Sequence, residues 1–134
     1  REDIQALAKS LGDVLNNIDE AAFRLTAFHF DRVPTQAVKL SLILRRSCSH
    51  LQQAIHLCRA YLGSQTLAEH LQEIRRLHDE AVGAYRQVET ALFADPPEIM
   101  AFLKQRELYL RLRSGADACW EAANVVREIV VKGS

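Results

Sequence analysis

The residues best equipped for chemistry stand near the C-terminal end of the chain, where Asp117, Glu121 and Asn124 follow one another at helical steps of four and three. On a helix those steps line the oxygen-bearing groups along one strip. Such groups are hard ligands for iron, manganese or magnesium, provided that neighbouring helices add more of them. The first helical segment offers a second strip in Asp13, Asn17 and Glu20, and the third adds Glu80 beside His78 and Asp79. The metal-ligand candidates are therefore Asp117, Glu121, Glu20, Asp13 and Glu80. A structural reading competes. Asp117 shares heptad spacing with Leu103, Leu110, Asn124 and Val131, a face expected to be buried. An unpaired buried carboxylate costs several kcal/mol, so Asp117 needs a partner, and Arg113 is one turn away on the same helix.

Other chemistry is thinner. Lys104, Arg106, Arg111 and Arg113 gather positive charge that would suit an anion or an acidic partner, although Glu107 among them fits a solvated, ion-paired face as well. His70 and His78 flank Glu73, Asp79 and Glu80, but neither His-Glu-x-x-His nor the Glu-x-x-His of di-iron bundles occurs. His29, His50, His56 and His70 read as polar surface residues. Trp120, at helical spacing from Leu110 and Leu112, reads as core. Long helices with short loops offer little on which to build an enzyme pocket, so no catalytic residue and no enzymatic activity are expected.

The elements that must hold these groups follow from pattern and composition. With 134 residues, 49% hydrophobic, 25% charged and only 7% aromatic, the chain has the makings of one helical domain over residues 1–134 with an aliphatic core. Seventeen basic and 17 acidic residues leave no charge excess with which to grip nucleic acid. Cys48, Cys58 and Cys119, an odd set without Cys-x-x-Cys, read as small buried hydrophobes in a reducing compartment, hence a cytoplasmic protein. No run of about 18 uncharged apolar residues, as a membrane span requires, occurs. The chain opens on Arg1 directly into a helical pattern, which points to a missing upstream segment.

Four helices are expected. The first, about residues 2 to 29, carries Ile4, Leu7, Leu11, Val14, Ile18, Ala21, Leu25 and Phe28 in steps of three and four. The second runs from about Thr35 to Leu62, where Gly63 stops it. The third opens with a capping box at Thr66 and Glu69. The fourth opens with another at Asp95 and Glu98 and reaches about Lys132, with a bend expected near Ser114-Gly115. Short connections make neighbours antiparallel, giving an all-α, up-down-up-down bundle.

Residues 1–8 together with Leu11-Gly12-Asp13-Val14-Leu15, Glu107-Leu108-Tyr109 and the stretch from Asp117 to Lys132 resemble the PhoU-like proteins, described as phosphate transport regulators. The resemblance implies two similar three-helix halves, with residues 1–30 as the last helix of the first and residues 34–134 as the second. Two further helices would precede Arg1 and cover the polar flank of the first helix. It also implies acidic motifs that hold metal ions, and here this sequence departs: Arg113 precedes Asp117, Glu121 and Asn124 on the fourth helix, His78 and Val82 fill the matching positions on the third, and Gly12 and Asn16 those before Glu20 on the first. Arg113, Val82, Gly12 and Asn16 thus disfavour a metal, and no cofactor is expected. The function implied is a non-enzymatic cytoplasmic accessory of an inner-membrane phosphate transporter, peripheral to that membrane, acting by protein contact and open to self-association. A metal-binding bundle, with iron or manganese, is the alternative.

Overall fold

Apolar residues at steps of three and four bury only if the chain coils into helices that pack side by side, and the computed structural model, which describes residues 2–60 and 63–133, has that form. Its elements are α1 (Glu2–Ala27), α2 (Thr35–Ala60), α3 (Gln65–Ala94) and α4 (Ile99–Gly133), with no strand among the described residues. The fold is an all-α bundle. The expected end of the second helix at Leu62 falls outside the described residues.

Local chemistry fixes the ends. α1 stops where His29 turns to the left-handed region at φ 51°, and Gly63 does the same before α3 at φ 79°, where the missing Cβ removes the penalty. Both capping assignments need correction. Ser64, not Thr66, caps α3, its hydroxyl accepting from the Leu67 N–H. Glu98, not Asp95, caps α4: its carboxylate accepts from Met100 and Ala101, while Asp95 closes α3 by donating its N–H to the Ala91 carbonyl. Pro96 and Pro97 therefore lie in the connection, and their rigid rings separate the two helices.

α4 is the hub. Among the described residues its backbone runs close to each of the other helices, those of α2 and α3 run close to each other, and that of α1 runs close to α4 alone. The bundle is thus a triangle of α2, α3 and α4 with α1 laid antiparallel along the outside, joined by Lys132 to Asp3 at one end (3.1 Å) and Arg24 to Glu107 towards the other (3.5 Å). The triangle encloses Leu40, Ile43, Leu67, Ile74, Leu77, Leu108 and Val126, each at most 1% exposed. Each such side chain contributes about 1.5 to 3 kcal/mol from burial.

The buried side of α4 is not the heptad strip expected from Leu103, Leu110, Asp117, Asn124 and Val131. Leu103 and Val131 are exposed, and the buried residues are Leu108, Tyr109, Leu112, Gly115, Ala116, Ala118, Cys119, Ala122, Ala123 and Val126. A helix packed on three sides buries most of its circumference, so its seam follows small residues that admit neighbours rather than one hydrophobic stripe. Gly115 makes the point. The helix continues through it, and a Cβ added there would lie 2.9 Å from Leu44 Cδ2 and 3.7 Å from Asn17 Cβ, so α1 and α2 both approach closely at this residue.

Candidate functional site: the α3–α4 face

Antiparallel α3 and α4 diverge from Pro97, so residues equally far from it along the chain meet, and this pairs His78 with Asp117. His78 Nε2 lies 2.7 Å from Asp117 Oδ1, and Arg113 Nε lies 3.7 Å from the other carboxylate oxygen. The contacts extend both ways. Arg113 lies over the Tyr85 ring, whose hydroxyl donates to Glu89 at 3.0 Å; on the other side the His78 ring stacks on Trp120 (centroids 6.0 Å apart), and Arg127 covers that indole while bonding Asn124. Burial, with the Glu89 carboxylate second, pushes the Tyr85 hydroxyl above the usual phenol range and keeps it a donor. This ladder of rings and charges leads into a groove of about 310 Å³ lined by Leu67, Leu71, Arg75, Trp120, Asn124 and Arg127.

Asp117 therefore has the cation foreseen, Arg113, and a closer partner that spacing on one helix could not show, His78. Its side chain is 44% exposed rather than buried, so half of its charge still meets water and the pairing is of the modest surface kind. Trp120 is at the groove's rim, partly buried, and not in the deep core. Of the positions at which the PhoU-like resemblance asks for acids, 78, 113 and 117 converge. They bring an imidazole and a guanidinium to one carboxylate.

The other nominated acids disperse. Glu20 is held at 2.5 Å by Arg24, which also reaches Glu107, and the Arg24 hydrogen bond, aided by the charges of Arg24 and Arg111, keeps its carboxyl below the usual range. Asp13 pairs with Lys9, Glu80 with Arg76, and Glu121 is exposed. Each of the four cation-paired acids already has its countercharge, and among the described residues no three His, Cys, Asp or Glu gather as metal ligands. This donor set does not fit a metal ion.

The basic residues divide likewise. Arg106 and Arg113 flank Tyr85 on the α3 side, Arg111 turns toward Glu20 of α1, and Lys104 lines a shallow hollow with His29, Asp31 and Glu98. They form no single patch.

Two contacts escaped sequence reasoning. His50 and His70 face each other across α2 and α3 with Nδ1 atoms 2.9 Å apart, and Cys48 and Cys119 bring their Sγ atoms to 3.8 Å across α2 and α4. His50 and His70 straddle the α2–α3 turn nearly evenly, a signal available once that hairpin is accepted. Burial, then the charges of His70 and Arg76 against the pull of Glu73, holds His50 below the usual imidazole range.

No protein-family model matches the chain. It is similar to UPF0111 protein YkaA of Bacillus subtilis (strain 168), 25% identical over 134 residues, a match that takes in the whole of this chain and 65% of that protein's length. The chain thus spans slightly under two thirds of its relative, whose name states no activity.

Proposed function

We propose that this protein is a non-enzymatic, PhoU-like regulator or accessory of inorganic phosphate transport, working by contact between helix faces, in the cytoplasm and at the inner-membrane surface where it meets a phosphate transporter. The observation that carries the reading is the three-plus-one packing: α2, α3 and α4 form a closed triangle, and α1 lies outside it on α4 alone. That division supports reading residues 1–30 as the last helix of one three-helix half and residues 34–134 as the other half.

A second support is the uncovered side of α1. Ile4, Ala8, Leu15, Ile18, Ala22 and Leu25 lie exposed along one apolar strip at heptad spacing, with Ile4 70% and Leu15 67% exposed, while Leu11 between them is partly buried against the core. In this reading the strip seats the other helices of the first half. The flank they cover is then the apolar one, not the polar one expected from sequence. In this reading the contact with a transporter is made from the membrane surface; no helix of the described residues is long and apolar enough to cross a membrane.

Deletion of the gene should change phosphate uptake, and the tagged full-length protein should co-purify with membrane phosphate transport proteins. Unchanged uptake in both phosphate-replete and phosphate-starved cells would contradict the proposal.

A further inference from the structure

Three cysteines are present as free thiols, and two of them, 71 positions apart in sequence, touch. Cys119 is fully buried on α4, whereas Cys48 on α2 is partly open to solvent. One turn before this pair, Leu44 of α2 presses against Gly115 of α4, at a spot where even a methyl group would meet Leu44 at 2.9 Å. α2 and α4 therefore face each other in matching register, 44 with 115 and 48 with 119, with the Leu44 side chain seated where Gly115 has no Cβ. A disulfide needs Cα atoms about 4.4 to 6.8 Å apart and sulfurs at about 2.05 Å. The Cys48 and Cys119 sulfurs, already in contact at 3.8 Å, have the rest of that gap to close.

From this geometry we propose that Cys48 and Cys119 are a peroxide-sensitive dithiol that oxidises to a disulfide joining α2 to α4. The partly accessible Cys48 reacts first. Its thiolate attacks one oxygen of a hydroperoxide, the O–O bond breaks, and the departing alkoxide or hydroxide takes up the thiol's proton, leaving Cys48 as a sulfenic acid. Cys119 sulfur then attacks Cys48 sulfur, the S–O bond breaks, and hydroxide leaves with the Cys119 proton as water. Two thiols lose two electrons and the hydroperoxide gains them. Accessibility sets the order, since Cys119 is fully buried and Cys48 is partly open. The hydrogen bond between the two thiols lowers Cys48 below its usual range and, with burial, raises Cys119 above it. Cys58 is also partly open, but burial raises its thiol, and it lines a separate apolar hollow with Leu7 and Ile55. In a reducing compartment such bonds are transient and act as sensors.

Trypsin leaves Cys48 and Cys58 together on residues 47–59, so the test uses the full chain carrying Cys58→Ser, treated with hydrogen peroxide and followed by intact mass. The expected product is a monomer lighter by two hydrogens, cross-linking peptides 47–59 and 114–127, restored by dithiothreitol, and melting several degrees higher than the reduced form. In Cys119→Ser, Cys48 should instead gain oxygen. Oxygen addition without hydrogen loss in Cys58→Ser, covalent dimers, or inert thiols would each overturn the proposal. Should the Cys119 variant fail to fold, fragmentation of the cross-linked peptide from the unsubstituted chain decides between Cys48 and Cys58, and a bond through Cys58 overturns it.

Discussion

α1 and the α2–α3–α4 triangle are built from helices of similar length, yet they are held by different physics. The triangle buries large aliphatic side chains from three directions, with Ile74, Leu77 and Leu108 wholly enclosed. The covered side of α1 instead alternates Leu7, Val14 and Ala21 with Ser10, Asn17 and Arg24, and its ends are tied by ion pairs. Its most apolar strip faces outward. The difference teaches that strong heptad spacing says a face wants a partner but not which neighbour supplies it. The best-patterned helix of the chain is the one with the least internal burial.

Substitutions can sharpen or break that contrast. Leu77→Ala removes a side chain with no exposure at the centre of the triangle and should cost about 2 to 5 kcal/mol in urea unfolding; a loss below about 1 kcal/mol would mean that the triangle is loosely packed. Gly115→Ala should cost about 1 kcal/mol, near the low end for overpacking, because the obstacle is the tip of the buried Leu44 side chain and not backbone. An unchanged midpoint would place α2 and α4 further apart than described.

The His50–His70 contact adds a pH dependence to the triangle. His50 is held below its ordinary value, so on unfolding it takes up protons more readily than when folded. Stability should be intact above about pH 6.5 and fall as pH drops below the free imidazole value. Unfolding followed from about pH 7 to about pH 5 should show that loss, and His50→Gln should reduce it; an equal loss in the variant would assign the effect elsewhere.

Smaller effects belong to the surface. A double-mutant cycle on His78 and Asp117 should yield a coupling of about 0.2 to 1 kcal/mol, since the carboxylate is 44% exposed; more than about 2 kcal/mol would make the pair a structural keystone. Leu15→Ala on α1 should shift stability by less than about 0.5 kcal/mol, because that side chain touches little in the chain as described. A larger loss would mean that something covers the strip in solution.

Helix number, order and approximate extent were legible because each helix carries enough periodic apolar residues to be recognised alone. What could not be read were facts about pairs of helices. Asp117 and Arg113 share a helix, so their contact was visible in spacing; His78 stands across a turn and emerges only when α3 and α4 are folded about Pro97. The buried face of α4 was misread because a helix surrounded on three sides is selected for small residues, and Ala118, Ala122 and Ala123 carry little hydrophobic signal. On α1 the expected seam ran midway between the covered strip and the open one, mixing Val14 and Ala21 with Ile4 and Ile18. Caps failed by a few residues where Ser64 and Glu98 outcompeted residues of equally good capping type.

The most direct test of the three-plus-one arrangement is native-state hydrogen exchange of the whole chain at low concentration, resolved by peptide. Amides of α1 should open at distinctly lower free energy than those around Ile74, Leu77 and Leu108, which should exchange together through global unfolding. Protection of α1 equal to that of the triangle would contradict the account.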